Sequence, residues 1–127
     1  MKTACNRHRT LYIFLFFFGI SSICFSQPAE LYINEFQASI DSLVKNPYSG
    51  GYSDWIEIYN AGSTDVDISG YFLTDDPLLP NKWQISFDIV LHAGEYTLFW
   101  ADDLNEFNHT NFKLGRTGEF IGFYNEQ

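Results

Sequence analysis

Apolar and polar residues alternate with a period of two along much of this chain. The clearest case is the segment 55–59, where Ile56 and Ile58 fall on one face. Alternation of β-branched and aromatic residues predicts a strand with one buried face, so we expect both isoleucines in the core. The opposite face is a candidate binding surface, formed by Trp55, Glu57 and Tyr59.

Several more short strands follow from the same kind of pattern. Turn-forming residues separate them at intervals of roughly 8–12 residues, and no amphipathic segment is long enough for a substantial helix. The connection 37–51 contains an Asn-Pro pair and two glycines, and we expect a long loop there. This arrangement predicts an all-β sandwich or barrel. The further predicted strands are 31–36, 66–68, 71–74, 82–87, 88–91, 95–100 and 119–124.

The interior of that fold is predicted from the apolar strand positions. In the segment 95–100, Tyr96, Leu98 and Trp100 share one face, and we assign Leu98 and Trp100 to the core. Trp83 is expected there as well, because large aromatic side chains in a sandwich usually pack inside. The strand positions predicted as core are Ile33, Ile56, Ile58, Leu73, Leu98 and Trp100.

The start of the chain follows a different pattern. Three basic residues precede an apolar run at 11–20, and small residues dominate the segment 21–26. This three-part layout is typical of a secretory signal peptide. The apolar run is short for a membrane span, which needs about 20 apolar residues.

We therefore predict a signal peptide at 1–26, cleaved between Ser26 and Gln27. The remaining domain is 27–127. A lipid anchor on Cys24 and an uncleaved membrane anchor are the two alternatives.

Removal of the segment 1–26 makes the charge more one-sided. All sixteen acidic residues lie beyond it against four basic ones, a net charge near −12 compared with −9 for the whole chain. Such a surface disfavours nucleic acid, whose phosphates require Lys and Arg, and it disfavours anionic lipid. Both cysteines, Cys5 and Cys24, lie in the same segment, which excludes disulfides and thiolate sites from the domain. The domain must therefore be held by its core.

Carboxylate pairs in two predicted loops are weak candidates for a metal site. They are Asp75 with Asp76, and Asp102 with Asp103. Calcium takes several oxygen ligands from flexible loops, but the spacing of a D-x-D-x-D-G loop is missing. Turn formation and solvation account for the same residues, so we expect no cofactor and keep calcium as an alternative.

Catalytic signatures are also missing from the sequence. Beyond the segment 1–26 the histidines are His92, in a predicted turn, and His109, in a predicted loop. The chain has no G-x-S-x-G, H-E-x-x-H or phosphate-binding glycine loop. Glu35 and Glu57 could form a glycosidase-like carboxylate pair, but strand-face glutamates usually meet Lys or backbone. We predict that the chain is not an enzyme.

Six blocks of the sequence occur in an order that points to one family. One reads Asp-Trp-Ile-Glu-Ile-Tyr-Asn-Ala-Gly at 54–62, and another reads Leu-His-Ala-Gly-Glu-Tyr-Thr-Leu-Phe-Trp-Ala at 91–101. Together the blocks cover nearly all of the chain beyond the segment 1–26, and they resemble the lamin tail domain of secreted bacterial proteins. The blocks are 31–36, 54–62, 66–73, 82–85, 91–101, and 110–114 with 117–119.

The resemblance implies an immunoglobulin-like β-sandwich with a non-catalytic role. We expect an extracytoplasmic interaction or structural module, secreted or at the cell surface, that binds a protein or a cell-surface partner. We expect no nucleic-acid partner and no membrane span after cleavage. Family members usually continue past the segment 118–124 into a further strand, so we also expect this chain to be a fragment that lacks the last strand.

Two alternative functions stay open at this point. Secreted bacterial members often precede spore-coat-type kinase domains or nuclease domains, so the chain could be the N-terminal accessory module of a larger secreted protein. The other alternative is a calcium-binding or carbohydrate-binding module.

Overall fold

A computed structural model describes residues 30–38, 44–118 and 120–125, and the predicted signal segment 1–26 lies outside these ranges. The described residues form eight strands and no helix. Among these residues, therefore, no helix is long and apolar enough to cross a membrane. The all-β prediction is confirmed. The strands are β1 (Leu31–Gln37), β2 (Asp54–Asn60), β3 (Val66–Asp67), β4 (Phe72–Thr74), β5 (Trp83–Gln84), β6 (Val90–Leu91), β7 (Tyr96–Ala101) and β8 (Gly122–Tyr124).

The strands pair into two three-stranded antiparallel sheets and one short strand pair. The first sheet has the order β1-β2-β7, the second has the order β5-β4-β8, and β3 pairs with β6. Rings from the two larger sheets meet in the interior: Trp83 of β5 and Phe99 of β7 are in edge-to-face contact, with centroids 5.7 Å apart. This contact joins the two sheets into one sandwich.

The core lies between these sheets. Ile56 and Ile58 of β2 and Leu73 of β4 have no exposed surface, and they belong to one cluster with Trp83. Burying each of these aliphatic side chains stabilises the fold by about 1.5–3 kcal/mol. Ile33, which was predicted as core, is partly buried and packs against the edge of that cluster.

The assignment of Leu98 to the core was wrong. In the pairing of β2 with β7, Phe99 lies directly opposite Ile56, so Phe99 faces the core and Leu98 faces away. Leu98 is only partly buried, whereas Phe99 is completely buried. Trp100 is buried as predicted, but on the Leu98 side and outside the main cluster. The strand is apolar on both faces, so its alternation could not decide which face points inward.

Asn60 fixes the turns at one end of the first sheet. Its Nδ2 donates to the carbonyl oxygens of Thr64 and Leu91 at 2.8 and 2.9 Å, and its Oδ1 accepts from Gly62 N at 3.0 Å. The residue is completely buried, so these bonds satisfy an amide that would otherwise be costly to bury. The predicted turn after β2 is therefore tied to β6.

Candidate functional site

The outer face of the first sheet carries a row of three tyrosines. Antiparallel pairing places Tyr32 opposite Tyr59 and Tyr59 opposite Tyr96, so their side chains cross the sheet side by side. The rings of Tyr59 and Tyr96 stack with centroids 4.3 Å apart. Tyr32 and Tyr96 are 54% and 50% exposed. These three residues, which we call the tyrosine row, form an accessible aromatic surface.

An acidic group lies next to the tyrosine row. Glu57 accepts a 2.7 Å hydrogen bond from Nδ2 of Asn34, a residue of β1. The register of β1 shifts between Ile33 and Glu35, so Asn34 is the additional residue of a β-bulge. Bulges redirect side chains, and this one accounts for the reach of Asn34 to Glu57.

Tyr96 presents a hydrogen-bond donor in the tyrosine row at neutral pH. Partial desolvation raises the pKa of the Tyr96 phenol above its ordinary value of 10.0, and the neighbouring Tyr59 and Glu57 act in the same direction. A phenol that stays protonated can donate to a partner while its ring supplies apolar contact.

Trp55 does not belong to the accessible surface that the sequence predicted. It lies between Gln37 and Trp100 in the register of the sheet, and only 6% of it is exposed. Its indole Nε1 donates to Oε1 of Gln37 at 3.1 Å. On the predicted face, Tyr59 and Glu57 are therefore partly exposed to solvent, and Trp55 is buried.

A pocket lies where β2 begins and β7 ends, and we call it the end pocket. Its volume is about 420 Å³. Loop residues on both sides contribute hydroxyl, carboxylate, ammonium and apolar groups. The lining residues are Ser49, Tyr52, Ser53, Asp54, Ala101, Asp102, Leu104 and Lys113.

A buried polar network supports one wall of the end pocket. Oδ2 of Asp102 lies 2.8 Å from Nδ1 of His109, and it accepts a 3.1 Å hydrogen bond from Nδ2 of Asn46. The side chains of His109 and Asp102 are only 5% and 11% exposed. Asn46 also donates to Oγ of Ser53 at 3.2 Å. The network holds the Asp102 carboxylate in one position.

Asn46 also organises the turn at residues 46–51, within the loop that the sequence predicts at 37–51. Its Oδ1 accepts hydrogen bonds from the backbone N–H groups of Tyr48 and Ser49, at 2.9 and 3.3 Å. Its own backbone bonds to Gly50 and Gly51 at 2.9 Å. Asn side chains often bond the backbone two residues further on, so the Asn-Pro-Tyr-Ser sequence contained a turn signal.

The other wall of the pocket is a loop with unusual backbone geometry. Asp103, Asn105 and Phe107 have φ angles of 64°, 54° and 43°, the left-handed region that non-glycine residues seldom adopt. Trp100 N donates to the carbonyl oxygen of Asn108 and Thr110 N donates to the carbonyl oxygen of Trp100, so these backbone bonds return the chain to β7 and fix the loop at both ends. Strained residues of this kind concentrate at functional sites.

Comparison with known families decides the classification of this chain. The family model described as Lamin Tail Domain matches residues 25–127. The chain belongs to the lamin tail domain family. A search of curated proteins and a search of solved structures each found no significant match. Lamin tail domains are non-enzymatic immunoglobulin-like modules, in agreement with the antiparallel sandwich described above.

Three of the four carboxylates named as weak metal ligands have separate structural contacts in this lamin tail domain. Asp75 forms a 2.5 Å ion pair with Lys82. Asp76 accepts from Leu78 N at 2.9 Å within a turn. In the part of the chain that the structure describes, no group of three or more His, Cys, Asp or Glu residues is placed to hold a metal ion. Asp103 is exposed in the strained loop, and Asp102 belongs to the buried network.

Sequence reasoning missed the end pocket in this lamin tail domain. Asp102 was considered only as a metal ligand, and Asn46, Tyr52 and Lys113 were not considered as site residues. Asn46 and Lys113 are 67 positions apart in the sequence, and no local spacing connects these residues. Only the pairing of strands brings these loops to one end of the sheet.

Proposed function

We propose that this lamin tail domain is an exported, non-catalytic interaction module that binds a protein partner with basic side chains through the tyrosine row. Its location outside the cytoplasm is supported by the basic, apolar and small-residue layout of the segment 1–26. Its non-catalytic role is supported by membership of a non-enzymatic family.

The tyrosine row is the observation that carries the proposal. Tyrosine is enriched in binding hot spots because it combines a large rigid ring with a hydrogen-bond donor. Two of the three rings are about half exposed, and Tyr59 fixes Tyr96 by stacking. The stacked side chains of Tyr59 and Tyr96 are preorganised, so they lose little conformational entropy when a partner binds.

The charge of the domain indicates the kind of partner. Sixteen acidic residues stand against seven basic ones in the whole chain, and Glu57 lies beside the row. An acidic surface attracts a partner with Lys and Arg side chains and accelerates their encounter.

Site-specific photocrosslinking in the producing cells tests the interaction. A photoreactive phenylalanine replaces Tyr96 in the full chain. The same residue at position 48 is the control, because Tyr48 lies in a turn outside the tyrosine row and is 67% exposed. We expect one defined crosslinked protein from position 96 only, lost when Tyr32→Ala is added. Equal products from both positions, or none from position 96, would contradict the proposal.

Fractionation of the same cells tests export. A tagged full chain should be recovered outside the cytoplasm and should lose residues before position 27. A cytoplasmic chain that retains its N-terminus would contradict the proposed location.

A further inference from the structure

The end pocket combines three kinds of chemistry at one place. Tyr52 and Leu104 are 49% and 53% exposed, and they supply aromatic and apolar surface. Asp54 and Asp102 supply acceptors, and Lys113 supplies donors. A ligand that satisfies all of these groups must have apolar faces together with several hydroxyl groups.

Asp102 is a prepared acceptor in this pocket. Its carboxylate is held by His109 and Asn46 at 2.8 and 3.1 Å, and its Oδ1 accepts from Leu104 N at 3.4 Å. The side chain is 11% exposed and still lines the pocket. Because the acceptor is fixed before binding, a ligand hydroxyl can bond it with little loss of entropy.

The backbone of Tyr52 is held by a neighbouring residue. An isolated antiparallel bridge pairs it with Lys45, whose Nζ lies 5.9 Å from the centroid of the Tyr52 ring. The half-exposed ring of Tyr52 offers a platform for the apolar face of a ligand.

The charged groups that line the end pocket favour some classes of ligand over others. Two carboxylates and one ammonium line the pocket, so a net anion is repelled. Lys113 offsets part of the carboxylate charge, and no group of three or more His, Cys, Asp or Glu residues in the described part of the chain is placed to hold a metal ion. The hydroxyl groups of a neutral polyhydroxylated ring can donate hydrogen bonds to the carboxylates and accept them from the ammonium group.

We propose that the end pocket binds a neutral sugar ring, with the ring stacked on Tyr52 and its hydroxyls bonded to Asp102, Asp54 and Lys113. The volume of about 420 Å³ lies within the range of small-molecule sites, about 300–1,000 Å³. The pocket is separate from the tyrosine row in the residues that form it. The sugar site therefore goes beyond the proposed protein interaction and does not rest on it.

Saturation-transfer NMR on the folded full chain tests the sugar site. The probes are maltose, cellobiose, lactose and N,N′-diacetylchitobiose, with inorganic phosphate, glucuronate and calcium as ionic comparisons. We expect at least one disaccharide to bind with a Kd on the order of 1 mM or below, an affinity suited to a single small site. If no disaccharide binds, or if one of the ionic probes binds in preference, the proposal is wrong.

Variants separate the pocket from the tyrosine row. Tyr52→Ala should weaken sugar binding by about tenfold or more, and Tyr52→Phe should retain it because the ring remains. Tyr32→Ala, which changes the tyrosine row and not the end pocket, should leave sugar binding unchanged. Melting curves confirm that each variant is folded. Equal sugar binding by wild type and a folded Tyr52→Ala protein would overturn the sugar site while leaving the photocrosslinking result intact.

Discussion

Nδ1 of His109 lies 2.8 Å from Oδ2 of Asp102, and both side chains are almost completely buried between two loops. We expect Asp102→Ala to destabilise the domain by about 1–3 kcal/mol, because it leaves the buried polar groups of His109 and Asn46 without their hydrogen-bond partner. Urea unfolding of the purified chain measures this change.

A surface pair of the same residue types is the control. Asp65 and His92 are also 2.8 Å apart, but their side chains are 56% and 67% exposed. Asp65→Ala should therefore cost much less than Asp102→Ala. Equal losses in the two variants would show that burial of the Asp102–His109 pair contributes nothing to stability.

The Asp65–His92 pair predicts a pH dependence at the surface. The hydrogen bond and the charge of Asp65 raise the pKa of His92 above its ordinary value of 6.5, and Glu95 adds a smaller effect. The hydrogen bond from His92 lowers the pKa of Asp65 below 3.8. The pair therefore stabilises the fold at pH values between the lowered pKa of Asp65 and the raised pKa of His92. Its contribution is lost as pH rises through the pKa of His92 or falls through the pKa of Asp65.

NMR titration of the His92 ring checks this prediction. In Asp65→Asn the pKa of His92 should fall towards its ordinary value. Glu95→Gln should lower the pKa of His92 by less, because Glu95 acts on that pKa through its charge and its hydrogen bond is to the His92 backbone N–H. An unchanged titration of His92 in Asp65→Asn would contradict the prediction.

Ile58 lies at the centre of the core with no exposed surface. Ile58→Asp should unfold the domain, because it buries a charge without a partner. The milder Ile58→Val should cost about 0.5–1.5 kcal/mol. Circular dichroism and thermal melting compare both with Glu57→Gln on the opposite face. A normal melting curve for Ile58→Asp would show that the assignment of this face is wrong.

A substitution at Gly94 would change the backbone conformational energy without creating a steric clash. The φ of Gly94 is 76°, and a Cβ atom built there meets nothing within 4 Å. Gly94→Ala should therefore destabilise the domain by about 1–2 kcal/mol through the left-handed conformation alone. Gly51→Ala is the control, since its φ lies outside that region and a Cβ would be 3.6 Å from Oγ of Ser49. Similar melting temperatures for the two variants would contradict the conformational explanation.

Local alternation determined the parts of the fold in which one face of a strand is clearly apolar. The segment 55–59 has isoleucines only at even positions, and the structure buries both of them. The segment 96–101 is apolar at nearly every position, so the sequence predicted Leu98 where the structure uses Phe99. Which face points inward is decided by pairing with β2, a contact distant in sequence.

For the candidate site too, one part could be predicted from the sequence and the other depends on the tertiary structure. The sequence identified Glu57 and Tyr59 as a surface, because they alternate with the buried isoleucines. It could not show that Tyr32 and Tyr96 extend that surface across three strands, since their alignment depends on the register of the sheet. Trp55 was expected on the same surface, and neighbours in the register enclose it.

By itself the sequence determined that this chain is an acidic, all-β lamin tail domain, because strand alternation, turn residues and family blocks are local properties of the chain. Only the tertiary structure decided where the tyrosine row and the end pocket lie. Both are assembled from residues far apart in sequence, and strand register and loop closure alone bring those residues together.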